Sequence, residues 1–354
     1  MILVAPTAFK GTLSARAAAE AMAAGARAAA AHHVVIAPLS DGGPGLIDAL
    51  EGDSDRIETV RVSGPLGARV NARVLWRGAQ AVVESADACG LHLVPQAQRD
   101  PWRATTRGVG ELISFAAANA REIVIGLGGS ATVDGGIGMA AALGWRLLDA
   151  KGEPITPVAA ELHRIARIEP PAQQLSAAIT VLADVVTPLV GAQGAARVFG
   201  PQKGVVTGQI DRLDRALEQL ADVIARDLGT SVHALPAGGA AGGLGAGLVA
   251  FLNAAIQSGS DWVLQRIGFD DLLARASLLV TGEGSYDAQS SLGKITGVVI
   301  ERAAARGVPV LLIAGRVEGL LPAHVQTMDH AGRRLSATDL ERMVRASCAR
   351  LLPS

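Results

Sequence analysis

Short runs of aliphatic and β-branched residues alternate along the chain with Ala-rich segments whose apolar positions recur at helical spacing. Residues 2–5 read as a buried strand, a helix follows a cap at Ser14, a second strand covers 34–38 and a short helix follows Asp41. This βαβα opening gives way at 56–62, 70–76 and 79–84 to three strand-like runs with no helix between them, which predicts a sheet of different, partly antiparallel character. A helix over 106–119 then feeds a strand over 122–125. A strand over 178–183 and helices over 194–199 and 208–228 follow. Alternation returns with a helix over 261–274, a strand over 278–281, a loop over 282–294, a helix over 295–305 and a strand over 308–313. A last helix starts at Ser336, with Asp339 three residues on as an approximate capping box. The simplest topology is a two-domain α/β protein. Residues 1–62 and 261–354 share one parallel sheet, and residues 63–260 form an inserted α/β domain with a mixed sheet.

Composition changes this picture by exclusion. The length of 354 residues suits two domains at roughly 150 residues each. Lys and Arg total 32 against 33 acids, so there is no charge excess to hold a nucleic acid or an anionic membrane. The two cysteines, Cys89 and Cys348, make no metal-ligand spacing and no disulfide framework, which fits a reducing, cytoplasmic setting. The first ten residues lack a basic region and a long apolar core, so no signal peptide is expected. The longest uncharged run, 234–260, is crowded with glycine and reads as a loop feeding a buried helix, with no membrane span. A monomer or homodimer is expected. Glycine is 42 of 354 residues, about 12% against a usual 7%, and aromatics are only 3%, so close backbone approach matters more here than aromatic packing.

In an open α/β sheet, ligands sit beyond the carboxyl ends of the strands. The special residues cluster there: Lys10 in PTAFKG, Asp41 in PLSDGG, Glu283 and Asp287 in GEGSYDAQ. In the inserted domain, GLGGSATVDGG (126–136) and ADVVTPL with Asp184 hold the same position. A loop this rich in glycine can hold phosphate oxygens on its amides or can simply be a tight turn. Gly126, Gly128 and Ala131 match G-x-G-x-x-A, and Asp149 lies about where a ribose-binding acid falls, so an NAD(P)-dependent oxidoreductase is an alternative, although the Gly-rich segment runs on past a compact dinucleotide fingerprint. There is no Walker A motif. Only four lysines occur, of which Lys10, Lys203 and Lys294 sit in these loops while Lys151 suits a hairpin turn. The acids Asp41, Asp134, Asp184 and Asp287 are equally open to a second reading as caps and turn residues, but a few carboxylates with substrate phosphates also suit Mg²⁺. The seven histidines show no ligand spacing.

Taken together, six ordered blocks resemble the bacterial glycerate kinases of the two-domain, non-P-loop type. They are PTAFKGTLSA at 6–15, PLSDGGPG at 38–45, GLGGSATVDGGIGM at 126–139, ADVVTPLVGAQGAARVFGPQKG at 183–204, GGAAGGLG at 238–245 and VTGEGSYDAQSSLGK at 280–294. The resemblance implies an interrupted Rossmann-like domain with an inserted α/β domain, and phosphorylation of D-glycerate or a related small hydroxy acid by ATP and Mg²⁺ in the cleft between them, with 2-phosphoglycerate as product. Under that reading Asp41, Lys10 and Asp287 are catalytic. Gly128, Gly129, Ser130, Asp134, Lys203, Glu283 and Lys294 bind the cofactor, and Asp184 with Asp287 hold the metal. The chain departs from the family's blocks at Thr7, Ala8, Ser40, Pro44, Leu46 and Val133. Most of these fall in the two N-terminal blocks, which points to an altered acceptor pocket or to a catalytically weakened ligand-binding homologue.

Overall fold

The computed structural model describes residues 1–9, 11–29, 33–52, 54–287, 294–318, 321, 324–329 and 332–351. They fall into two compact units: residues 1–51 with 258–354, and residues 52–257.

The first unit opens with β1 (Ile2–Val4), α1 (Ala15–Ala29), β2 (Val34–Ile36) and α2 (Leu46–Leu50). The second unit contains β3 (Arg56–Ser63), β4 (Arg69–Arg77), β5 (Gln80–Glu84), α3 (Ser85–Cys89), α4 (Arg107–Ala117), β6 (Glu122–Gly126) and α5 (Ile137–Ala142). It continues through β7 (Arg146–Leu148), β8 (Arg167–Glu169), β9 (Ala178–Leu182), α6 (Ala195–Lys203), α7 (Ile210–Leu228), α8 (Ala240–Leu252) and β10 (Ala255–Gln257). The chain then returns to the first unit with α9 (Gly259–Arg266), α10 (Phe269–Ala274), β11 (Leu278–Tyr286), α11 (Ile295–Ala305), β12 (Val310–Val317), β13 (Val325–Asp329) and α12 (Ala337–Leu351).

The first unit is built on one parallel sheet of strand order β13-β12-β11-β1-β2. Opening and closing segments of the chain meet at its centre, where Ile2, Leu3 and Val4 pair with Leu278, Leu279 and Val280. All six side chains are buried, as a central parallel strand requires when both of its faces are covered. Phe9, Met22, Ile313, Leu340 and Val344 complete the core on one side. The capping box at α12 forms as expected: Asp339 N donates to Ser336 Oγ, and Ser336 N donates to the Asp339 carboxylate.

The second unit has a six-stranded mixed sheet, β10-β9-β6-β5-β4-β3, antiparallel at β3-β4-β5 and parallel from β5 onward. The amphipathic α7 packs Leu213, Leu217, Leu220 and Ile224 into the unit's core, one helical face read at i, i+4, i+7 and i+11.

Three differences from the sequence reading have simple causes. Residues 56–62 were assigned ahead of a boundary at 62, yet β3 pairs with β4 along its whole length, from Arg56 with Trp76 to Ser63 with Arg69. Hydrogen bonding therefore draws it into the second unit. The strand over 278–281 runs on to Tyr286 because β12 keeps pairing with it, Glu283 opposite Ala314 and Tyr286 opposite Val317, so Glu283 stands on a strand and not in a loop. The helix over 261–274 is two helices, broken at Gly268 with φ of 64°. No described helix is long and apolar enough to cross a membrane.

Candidate active site

The carboxyl ends of β1, β2 and β11 are stitched into one rim by main-chain bonds. Ala5 N donates to Val280 O, Thr7 N to Gly282 O, Ala37 N to Val4 O and Leu39 N to Pro6 O. Thr281 Oγ1 adds a buried bond of 2.7 Å to Ala5 O. On this rim lies a cavity of about 360 Å³ lined by Asp41, Glu283, Asp287, Lys294, Arg333 and Arg334 among others. Asp41 is fixed by an Asx turn, Gly43 N donating to its Oδ1 at 3.1 Å. Its backbone is pressed by the start of α9, where a Cβ on Gly259 would stand 2.1 Å from Asp41 O, so only glycine fits. Asp287, one residue beyond β11, pairs with Lys294 at 3.7 Å, and both side chains remain 36% exposed. Lys10 lies outside the described residues.

Sequence reasoning missed Arg333 and Arg334, which stand in the connection between β13 and α12. Thr7, Ala8, Ser40 and Pro44, four of the six departures from the family's blocks, also line this cavity. Leu46 and Val133 are instead core residues.

The Gly-rich loop after β6 belongs to the second unit and is built differently. It pairs with the end of α3, Ala131 N donating to Cys89 O and Leu91 N to Gly129 O. It also stacks, backbone on backbone, against the second Gly-rich stretch. Gly135 N donates to Gly242 O, and a Cβ on Gly242, whose φ is +74°, would stand 1.9 Å from Thr132 O. The two Gly-rich stretches are thus packing partners, which is one physical reason for the glycine content. Ala241, Gly242 and Gly243 interrupt α8 with left-handed backbone so that this contact can form.

Asp134 is fully buried. Its carboxylate accepts from Thr106 N at 2.8 Å, Thr106 Oγ1 at 2.9 Å, Gly136 N and Gly138 N, tying the start of α5 to the start of α4. Burial raises its pKa, and these donors oppose the rise. Lys203, only 3% exposed, donates at 2.8 Å to both Ser130 Oγ and Thr132 O. Burial lowers its pKa to about 8, with Cys89 and Asp134 opposing. Burial and the neighbouring Asp134 push Cys89 up to about 12. Asp134, Lys203 and the Ser130 hydroxyl, expected at a cofactor, make these hydrogen bonds inside the fold, where they set the shape of the loop. At its apex, Gly128 is half-buried and Gly129 exposed, and their amides carry no hydrogen bond among the described residues. These amides are the part of the loop open to an anion.

Asp149, the acid a dinucleotide site would need, caps a turn. It accepts from Lys151 N and Glu153 N and pairs with Arg164, and these bonds, the Glu153 and Lys151 amides foremost, hold its pKa low. Asp184 is half-buried just past β9 in the second unit, whereas Asp287 belongs to the first. Among the described residues no group of three or more His, Cys, Asp or Glu is gathered as a metal site.

Open amides on a glycine loop and a charged rim at the ends of a parallel sheet are each suited to binding anions, as α/β enzymes that handle phosphate require. Comparison with known proteins makes this specific. The family model for the glycerate kinase family matches residues 2–345, and the chain belongs to that family. It is 43% identical over 327 residues to a glycerate kinase of Halalkalibacterium halodurans, covering 89% of this chain and 85% of that one. It is 41% identical over 325 residues to the glycerate 2-kinase of Escherichia coli K12, covering 89% and 84%. A crystal structure of a Salmonella typhimurium LT2 protein assigned as glycerate kinase 2 superposes with a TM-score of 0.84 at 40% identity, covering 99% of this chain and 97% of that one.

Proposed function

We propose that the protein transfers the terminal phosphoryl group of ATP to a hydroxyl of D-glycerate, giving 2-phosphoglycerate, or to that of a closely related small hydroxy acid. The observation that carries this reading is the cavity of about 360 Å³ on the rim of the first unit, where three carboxylates and three cationic side chains face a space sized for a small acid. Phosphoryl transfer depends chiefly on positioning and charge neutralisation, and these groups supply both. The reading assigns the open amides of Gly128 and Gly129 to phosphate oxygens and Lys294 to the transferred group. Asp41, fixed by its Asx turn, orients the acceptor hydroxyl and takes its proton, and Asp287 sets the position of Lys294.

Mg²⁺ takes one or two carboxylates together with phosphate oxygens and water. Asp287 in the first unit and Asp184 in the second are each a carboxylate of that kind. When bound, the cation supplies neutralisation of phosphate charge.

A coupled ADP-release assay across D-glycerate, L-glycerate, lactate and glycolate tests the proposal, with ³¹P and ¹H NMR of the product to locate the ester. The expected result is ADP release dependent on D-glycerate and Mg²⁺, with the ester at the 2-position. Release that is indifferent to every acid tried, or saturable NADH binding in place of ATP binding, rejects it.

A further inference from the structure

The connection between β13 and α12 carries two guanidinium groups to the cavity rim, and it is held at both ends. Gly332 N donates to Gly315 O at 2.7 Å, anchoring the segment to β12. Leu335, 1% exposed, plugs into the core of the first unit. Between these anchors the backbone is pressed onto the sheet: a Cβ on Gly315 would stand 2.7 Å from Gly284 O and 2.9 Å from Arg333 O. Arg333 and Arg334 both line the cavity. The Arg334 guanidinium lies against Gly11, its Cζ 3.9 Å from where a Cβ would stand. Neither guanidinium has an ion-pair partner among the described residues, whereas on neighbouring elements of the same unit Arg302 pairs with Asp261 and Asp270 and Arg316 with Glu318.

Two exposed guanidiniums on an anchored backbone thus line the same cavity as Asp41, Glu283, Asp287 and Lys294. A planar guanidinium fork matches a carboxylate in two-point geometry. The acids serve a hydroxyl and repel a carboxylate. We infer that Arg334, with Arg333 beside it, is the specificity determinant that binds the carboxylate of the acceptor, so that this site selects 2-hydroxy carboxylates over neutral polyols. The inference rests on the kinase reading above and names the part of that site which reads the acid.

The test compares the parent with Arg334→Gln, Arg334→Lys and Arg333→Gln, each confirmed as folded by circular dichroism. Losing a charge-assisted pair at this site raises the KM for D-glycerate about 10- to 100-fold in Arg334→Gln. The KM for ATP stays within about twofold, and Arg334→Lys recovers part of the loss because it keeps the charge without the fork. Glyceramide, the neutral amide, is a poor acceptor for the parent and is handled alike by parent and Arg334→Gln. A D-glycerate KM unchanged in both Gln variants, or an effect confined to ATP, overturns the inference. If the parent releases no ADP with D-glycerate, the kinase reading fails separately, and calorimetric titration with D-glycerate and with lactate decides this point alone. Binding by the parent that both Gln variants lose upholds the carboxylate site. Equal binding by parent and variants, or none by the parent, rejects it.

Discussion

The two charged regions of the molecule use the same residue types in opposite ways. In the second unit Lys203 and Asp134 are sealed off from water, and every bond they make is to the loop and helix starts around them. On the rim of the first unit, Asp287 and Lys294 face each other at 3.7 Å with a third of each side chain in solvent. A buried charge must be satisfied where it sits, and here the partners are the backbone and side chains that shape the loop. An exposed pair at this distance contributes little to stability, so rearranging it around a ligand costs the fold little. The comparison separates the residues that build the Gly-rich loop from those that the proposed reaction uses.

The comparison breaks first on activity. Asp287→Asn and Asp41→Asn lower turnover by about 10²- to 10⁴-fold, the scale of a lost acid–base or positioning group, with the melting temperature nearly unchanged. Near-normal turnover in both variants would remove the rim from catalysis. The sealed region answers in the other observable. Asp134→Ala leaves the amides of Thr106, Gly136 and Gly138 without their acceptor and Lys203 without a neighbouring carboxylate, at a cost of about 3–5 kcal/mol in a urea or guanidinium melt. A stability within error of the parent would refute the buried role.

Gly242→Ala sharpens the contrast, because it touches no charge at all. Its left-handed φ of +74° and the 1.9 Å approach to Thr132 O make the two Gly-rich stretches move apart, destabilising by about 2–3 kcal/mol. The KM for ATP rises through the displaced loop apex, while the acceptor KM does not. An unchanged ATP KM would detach the apex from phosphate binding.

The smallest effect is in pH. Folded Lys203 gives up its proton near 8, below the unfolded value of about 10.4, so between those values the unfolded chain binds more protons and stability rises with pH. Cys89 works in the opposite sense. Its folded value is about 12 against about 8.5 unfolded, so it holds its proton while the unfolded chain releases one, and stability falls. The two offset each other from about pH 9 to 10, so neither shows in the slope of the parent. Cys89→Ala removes the opposing partner and exposes a rise of about 1 kcal/mol over that unit. Cys348 and Tyr286, both raised by burial, tilt parent and variant alike, so the readout is the difference between the two slopes. Equal slopes in parent and variant would count against the raised Cys89 thiol, and a variant that shows no rise would count against the lowered Lys203.

Much of this was legible before any coordinates. The alternation of apolar runs and Ala-rich helices revealed one parallel sheet shared by the two ends of the chain, because a period of two or of 3.6 survives in any reading of local sequence. Ser336 with Asp339 announced a helix start that forms as read. Boundaries set by pairing were less visible. Nothing local in residues 56–62 says that their partner is β4, and nothing in GEGSYD says that β12 extends far enough to hold Glu283 on a strand. The site divided in the same way: Asp41 and Asp287 stood out by their place beyond strand ends, whereas Arg333 and Arg334 lie in no Gly-rich motif and gained meaning only once Gly332 and Leu335 had pinned them to the rim.

By itself, then, the amino-acid order determined the two-part α/β plan, the family and the loops that hold its unusual residues, since these depend on periodicity and on blocks contiguous along the chain. The tertiary structure decided which charges are spent and which are available. Lys203 and Lys294 are indistinguishable as letters beside glycine. Only the distance to partners and to water, set by residues remote in sequence, makes one a brace and leaves the other facing the cavity.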